Sequence, residues 1–519
     1  MRTLLLNPRF PYSFWTLKES IQVDGTKALA PPLGLITVAA LLPPAWELRL
    51  VDLNTQALPL EAWNWADLVM ITGMLAQRES MISLIRDAKS RGKAVAVGGP
   101  YATSLSQDLL DAGADFLFRG EAEGTMPRFL AALAAGEKQG VFQEDGKLEM
   151  SMSPVPRYDL LSLEDYTIMS IQTSRGCPYD CEFCDVVSLF GRKPRYKKPE
   201  QVIRELEAVY RLGWRKGIFI SDDNFIGNRQ HALAILEQLT PWMKSHGEPF
   251  GFWTQASVNL GQDQELMDQM TAANFGFVFV GVESTDAASL GLSRKYHNLR
   301  NPLAESLEAI NKNGLSLVAS FIIGFDGEET GAGERIRNFV EELHIPMVMV
   351  NLLQAIPNTS LWRRLQEEGR LLEGKGAAGD ISSREINFIP TRPEAEILAE
   401  YRQAIERLYE PSAYLRRSLE VILHMRPTRR ALGVEEKTEG VAGPRDSTQK
   451  TIKQQWLGPL LRLIWRQGIR PSFRGQFWRQ LLTVLQKNPS RKMRYLNHCA
   501  LGETLFAFRR QVRENVLQT

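Results

Sequence analysis

Three cysteines set the chemistry this chain is equipped for. Cys177, Cys181 and Cys184 stand at C-x3-C-x2-C spacing in the stretch Arg175-Gly176-Cys177-Pro178-Tyr179-Asp180-Cys181-Glu182-Phe183-Cys184-Asp185. The other residues of the 519-residue chain include one further cysteine, Cys499. A tight thiolate triplet in a long, cysteine-poor chain argues for a metal cluster rather than a disulfide. Three ligands suit a four-iron cluster with one open iron; a closed zinc site or an electron-transfer cluster needs four protein ligands. The bland alternative is a loop of reduced, unpaired thiols. Cys499 reads as a small buried hydrophobe.

The elements that must position this loop alternate regularly. A strand over Thr167–Thr173 runs into the cysteines. Strands over Gly217–Ser221, Phe250–Ala256, Phe277–Val282, Leu315–Ile323 and Met347–Leu353 follow, with helical patterns between them. Six βα-like units make an incomplete barrel, whose chemistry belongs at the carboxyl ends of the strands. Those ends carry the cysteines, then Asp222-Asp223-Asn224, Gln255, Glu283-Ser284, and Gly324-Phe325-Asp326-Gly327-Glu328.

Before the barrel, short apolar strands alternate with helices from Arg2 to Phe118, the pattern of a doubly wound parallel sheet. Its strand ends carry Asn7, Thr72-Gly73-Met74 and Gly98-Gly99, where ligands of such sheets bind. The same glycines also suit plain turns. Gly140–Met152 has the look of a small hairpin, and Ser153-Pro154-Val155-Pro156 of an extended linker. The expected layout is 1–135 for the sheet domain, 136–162 for a linker, 163–390 for a partial (β/α)6 TIM-like barrel, and 391–519 for a mostly helical, basic C-terminal region.

The cysteine motif at the top of a partial barrel resembles the radical S-adenosylmethionine (SAM) superfamily. The aromatic Phe183 before the third cysteine fits it. The resemblance implies that Cys177, Cys181 and Cys184 hold a [4Fe-4S] cluster whose open iron chelates SAM and cleaves it to a 5′-deoxyadenosyl radical. It further implies that Asp222-Asp223-Asn224 receive the SAM amino group, that Glu283 binds the ribose, and that Ile323-Gly324 face the adenine. Against these stand helix N-capping for the acidic pair and a salt bridge for Glu283. The basic run Arg192, Lys193, Arg195, Lys197, Lys198 either steers anions to the barrel mouth or forms a solvated loop, the commoner arrangement.

The N-terminal sheet resembles the cobalamin-binding domain of methionine synthase and its relatives, with Thr72-Gly73-Met74 and Gly98-Gly99 at the positions that flank the nucleotide tail. That family's Asp-x-His-x-x-Gly motif is replaced by Asn7-Pro8-Arg9-Phe10-Pro11-Tyr12, and the first histidine is His231. A bound cobalamin would therefore be histidine-off. Arg9 and Tyr12 are the candidates to cover its lower face.

Together the two domains resemble cobalamin-dependent radical SAM enzymes, and the layout resembles the branch with hopanoid and bacteriochlorophyll methylases. This implies methyl transfer to an unactivated carbon of a small, apolar, lipid- or tetrapyrrole-like substrate. Cyclases and ring-rearranging enzymes of the class are the alternative, and a non-catalytic Fe-S/B12 sensor is the outside one. Methylthiotransferases need three cysteines before the barrel, which this chain lacks.

Bulk composition frames these readings. With 62 Lys and Arg against 60 Asp and Glu, charge is nearly balanced, an ordinary globular composition. No apolar run is long enough to span a bilayer, and the first residues lack signal-peptide anatomy. Few, clustered cysteines point to a reducing cytoplasm, and the cluster to a flavodoxin- or ferredoxin-type reductant. From residue 441 onward, 15 Lys and Arg face 3 Asp and Glu. Tryptophans and leucines interleave with those arginines. Such helices pack their apolar side in a bundle, lie against an anionic membrane surface or lipid substrate, or bind nucleic acid, for which the tail shows no motif beyond charge. Gly433–Lys450 reads as a polar loop.

Overall fold

The computed structural model describes residues 1–372, 385–433 and 457–516. The polar stretch expected at Gly433–Lys450 falls, apart from Gly433, outside the described residues, as does Trp456.

Six strands form the N-terminal sheet: β1 (Arg2–Asn7), β2 (Glu47–Asp52), β3 (Leu68–Thr72), β4 (Ala94–Gly98), β5 (Phe116–Arg119) and β6 (Gly140–Gln143). Their order is β2-β1-β3-β4-β5-β6, and every pairing is parallel. Alternate side chains go to opposite faces, as strand geometry requires. Leu4, Leu6, Val69 and Val97 join one core, and Leu5, Met70, Ala96 and Phe116 the other. The stretch expected as a hairpin instead supplies β6, whose apolar Phe142 stacks on Phe118 with ring centroids 5.7 Å apart. An isolated four-residue strand with one apolar inward residue carries too little pattern to announce itself.

The second sheet contains β7 (Ile168–Ile171), β10 (Gly217–Ile220), β11 (Gly251–Gln255), β12 (Phe275–Glu283), β13 (Ser316–Ile323) and β14 (Met347–Leu352). Its order, β14-β13-β12-β11-β10-β7, has each strand beside its sequence neighbour in the sheet, all parallel. This is the expected partial barrel. A short antiparallel ribbon, β8 (Ser174–Arg175) with β9 (Arg195–Tyr196), brackets the cysteine loop.

Among the elements the sequence reading did not name are a 3-10 turn at Phe14–Thr16 and the helix Lys18–Asp24. Phe14, Leu17, Ile21 and Val23 are buried in the same core as the barrel strands. The exposed Trp15 leans on Phe279 of β12, ring centroids 5.4 Å apart.

The C-terminal helices close the amino ends of the barrel strands. Within Lys492–Val516, the Arg494 guanidinium lies 4.6 Å from the Phe277 ring, and His498 Nε2 is 2.9 Å from Ser316 Oγ. Cys499 is fully buried. Ser20 Oγ and Thr504 Oγ1 stand 2.7 Å apart, joining this helix to Lys18–Asp24. Among the described residues no helix is long and apolar enough to cross a membrane.

Candidate functional site

Gly176 turns the chain from β8 into the cysteine loop with φ +94°, and a Cβ there would sit 2.8 Å from the Gly191 carbonyl oxygen. Only glycine meets both demands. Beyond it, Cys177, Cys181 and Cys184 are half-buried, free thiols. Burial pushes all three up, Cys181 to about 11, and the neighbouring thiols push Cys181 and Cys184 further. Three such thiols ionise together only if metal replaces their protons. Three free thiols carried on one loop are the donor set of a [4Fe-4S] cluster with one open iron.

Ion pairs hold the loop from two sides. Arg175 reaches the N-terminal domain, with Nη1 2.7 Å from Glu121 Oε2 and Nη2 2.8 Å from Glu123 Oε1. Arg195 also pairs with Glu121. On the other side Glu182 pairs with Arg364, and its carbonyl accepts from Leu361 N at 2.9 Å. Arg195 and Lys197 of the basic run are therefore not solvated: each is buried, the latter against Glu205.

The acidic pair after β10 splits in role. Asp222 is fully buried and accepts four hydrogen bonds, from N and Oγ1 of Thr173 and from N and Oγ of Ser174. A carboxylate has about four acceptor directions, so Asp222 is saturated by the strand that feeds the cysteine loop. Asp223 accepts from Gly176 N at 3.0 Å and is only half-buried. Burial raises it to about 6. Neither caps the following helix; Asn228 does, accepting from His231 N. Asn224 bonds Ser257 through both ends of its amide.

Glu283 ends β12 with φ +66°, a strained value for a non-glycine residue. Its carboxylate lies 2.6 Å from Lys295 Nζ, a buried pair rather than a surface one. Lys295 also acts electrostatically on Cys181 and Cys184 and stands 5.9 Å from the Phe183 ring. Phe183 meets Phe325 edge to face at 5.7 Å. Ile323 is buried at the end of β13. Gly324 N donates to Glu328 Oε2 at 2.8 Å, and burial raises Glu328 to about 7. Lys295 went unseen in the sequence because it belongs to no spaced motif.

At the carboxyl edge of the N-terminal sheet, Thr72, Gly73, Gly98 and Gly99 form one tight group. Gly99 has φ +92°, and a Cβ on it would lie 2.5 Å from Thr72 Oγ1. Tyr101 N donates to the Gly73 carbonyl at 3.1 Å. Met74 is half exposed. Beneath this edge, Gln77 Nε2 donates to Pro8 O at 2.6 Å, and Asn7 Nδ2 to Asp52 Oδ1 at 2.9 Å. Arg9 is exposed, while the Tyr12 hydroxyl is engaged by Glu19 at 3.1 Å. The small residues at this edge fit the close approach of a bulky ligand, and the N-terminal sheet domain holds no histidine, the first being His231.

Comparison with known proteins agrees with this geometry. Residues 21–130 match the B12 binding domain, 171–340 the Radical SAM superfamily, and 359–518 a domain of unknown function, DUF4070. The chain is 45% identical over 518 residues to an uncharacterized methyltransferase of Synechocystis sp., covering 99% of this chain and 93% of that one. It is 36% identical to the hopanoid C-2 methylase of Rhodopseudomonas palustris, covering 93% and 89%. Among solved structures, the cobalamin-dependent SAM radical enzyme OxsB with aqua-cobalamin and SAM superposes with TM-score 0.59 at 14% identity, over 100% of this chain and 80% of that one, a likeness of fold. With a cysteine loop fit for an open-iron cluster clamped to a B12-type sheet, and with these relatives along nearly its whole length, the chain belongs to the cobalamin-dependent radical SAM methylase family, enzymes whose cofactors are a [4Fe-4S] cluster, SAM and cobalamin.

Proposed function

We propose that this enzyme methylates an unactivated carbon of a polycyclic, apolar lipid of the hopanoid class. The observation that carries the reading is the Arg175–Glu121–Arg195 clamp, which ties the cysteine loop to the turn after β5 and so brings a cluster loop and a B12-type edge into one site. The hopanoid methylase relative supports the substrate class. So does Trp15, which leaves an exposed aromatic face on Phe279 of the barrel.

When bound, the cluster and SAM supply a 5′-deoxyadenosyl radical and cobalamin supplies the methyl group. The chain's own part is positional. Cys177, Cys181 and Cys184 hold the cluster. Asp223, left open where Asp222 is saturated, accepts the SAM ammonium, with Asn224 fixing its strand end. Glu283, oriented by Lys295, takes the ribose hydroxyls, and the turn at Ile323-Gly324 together with Phe183 flanks the adenine. Thr72, Gly73, Met74, Gly98 and Gly99 receive the cobalamin. A flavodoxin- or ferredoxin-type protein supplies the electron, and the basic C-terminal region brings the enzyme to the inner face of a membrane.

The test is anaerobic reconstitution with iron, sulfide and hydroxocobalamin, followed by methyl-labelled SAM and a hopanoid substrate. Label in the hopanoid and 5′-deoxyadenosine from SAM are expected, with neither from Cys177→Ala. SAM cleavage by Cys177→Ala would overturn the cluster assignment. Cleavage with label only in a tetrapyrrole would overturn the substrate class.

A further inference from the structure

The C-terminal region has an apolar surface beyond the one it buries. Residues 457–463 are helical and continue into a π-helical turn, Ile464–Ile469; the helix Arg474–Lys487 folds back beside them. Leu463, Phe477 and Val484 face the core and are buried. That accounts for one stripe. On the other side, Leu457, Leu461, Trp465 and Ile469 recur every four residues, and all are more than half exposed. Trp478 and Leu482 extend that stripe onto the second helix, at 39% and 56% exposure. The two are joined by Trp478, whose Nε1 donates to the Gly468 carbonyl at 2.8 Å. A helix of a soluble domain needs one apolar stripe. A second, contiguous and wet, marks an interaction surface.

We infer that this hairpin docks on an anionic phospholipid bilayer, a deepening of the membrane contact proposed above that rests on it. Charge selects the occupant. From 457 to 487 there are six Lys and Arg and no Asp or Glu. Arg462 and Arg466 turn inward to the carbonyls of Val23, Asp24 and Glu19. Arg470, Arg474, Arg479 and Lys487 stay exposed around the apolar stripe. Tryptophans at an apolar–basic boundary match the amphipathic headgroup layer, and the cations match its anionic lipids. A cavity of about 1060 Å³ shares Leu461 and Trp465 with the stripe and is walled by Phe473 and Phe506. Glu19, Glu503, Arg470 and Arg510 also line it, and a wall of mixed apolar and charged groups suits an amphiphile leaving the bilayer.

Holoenzyme is sedimented with vesicles of equal parts phosphatidylglycerol and phosphatidylcholine, and with pure phosphatidylcholine. Pelleting with the anionic vesicles is expected, at least tenfold stronger than with the neutral ones. Trp465→Asp with Leu482→Asp lowers it tenfold or more. Arg470→Gln and Arg479→Gln each lower it about fivefold, the factor equivalent to about 1 kcal/mol per cation at a membrane surface. Iron and cobalamin content, unchanged in each variant, reports that the fold is intact. No pelleting by the native enzyme, or no loss in the double variant, overturns the inference. So does a dimer in sedimentation velocity that the same double variant dissolves, without vesicle binding. SAM cleavage is measured without lipid in parallel: cleavage without pelleting sinks this inference alone, and pelleting without cleavage sinks the catalytic reading alone.

Discussion

Arg175 Nη1 lies 2.7 Å from Glu121 Oε2, and through that pair the residue two before Cys177 is fixed to the turn after β5 of the other domain. Both side chains are largely buried, as are Glu123 and Arg195. Burial raises Glu121, but Arg195 and Arg175 outweigh it and hold the carboxyl below its ordinary range. Two guanidiniums lean on one carboxylate. Glu121→Ala leaves both with a lost partner in a dry place, which costs about 3–5 kcal/mol. Urea unfolding at neutral pH would read that loss, with Glu121→Gln intermediate. Faster amide exchange in the cysteine loop would accompany it. A cost under about 1 kcal/mol would show that the clamp does not hold the domains.

Asp222 and Asp223 are adjacent and expected to fail differently. Asp222→Ala strands the Thr173 and Ser174 donors in a fully buried site, at about 1–3 kcal/mol for each unmet group. It should lower iron retention together with stability. Asp223→Asn removes a charge from a half-buried carboxylate with a single backbone partner. It should leave iron content and melting temperature near native and weaken SAM binding about tenfold or more in equilibrium dialysis. Equal iron loss in both variants would refute the division of roles.

The two variants also show where sequence was legible. The run Leu4-Leu5-Leu6 is legible as a buried strand and the βα alternation as a parallel sheet, but an unbroken apolar run does not show which leucine faces which core. The cysteine triplet is legible because metal ligation imposes spacing. Asp222 and Asp223 look alike in sequence; what separates them is that β7 ends beside β10, a contact 49 residues apart. The clamp is less legible still, since Glu121 and Arg175 belong to different domains and obey no local period. The apolar face of 457–482 was patterned clearly, but whether a neighbour covers it depends on the packing of four helices. Lys18–Asp24 was missed because its seven residues, opened by Leu17 at φ +44°, carry no capping side chain.

Glu283 and Lys295 form the next test. Glu283→Gln keeps shape and removes charge, so it should weaken SAM binding about tenfold while the iron count stays native. Lys295→Met leaves the carboxylate buried and unpaired and withdraws the cation felt by Cys181 and Cys184. It should lower both SAM affinity and iron retention, read by dialysis and iron assay on the same preparation. Native iron with Lys295→Met would remove the lysine from the cluster's surroundings.

His498 makes acid stability a local property of the barrel floor. Burial, aided by the Arg494 charge, depresses its pKa to about 3, while its Nε2 stays 2.9 Å from Ser316 Oγ. An unfolded histidine titrates near 6.5. Between those values the unfolded chain binds the extra proton, so the neutral imidazole's contribution is fully present above about pH 6.5 and is lost as pH falls toward 3. The loss is about 1.4 kcal/mol per pH unit. His498→Gln keeps an amide to meet Ser316 and cannot titrate. Urea midpoints at pH 7 and pH 5 should therefore diverge, with the native chain losing about 2 kcal/mol more than the variant across that interval. Parallel losses in the two proteins would place the acid sensitivity elsewhere in the chain.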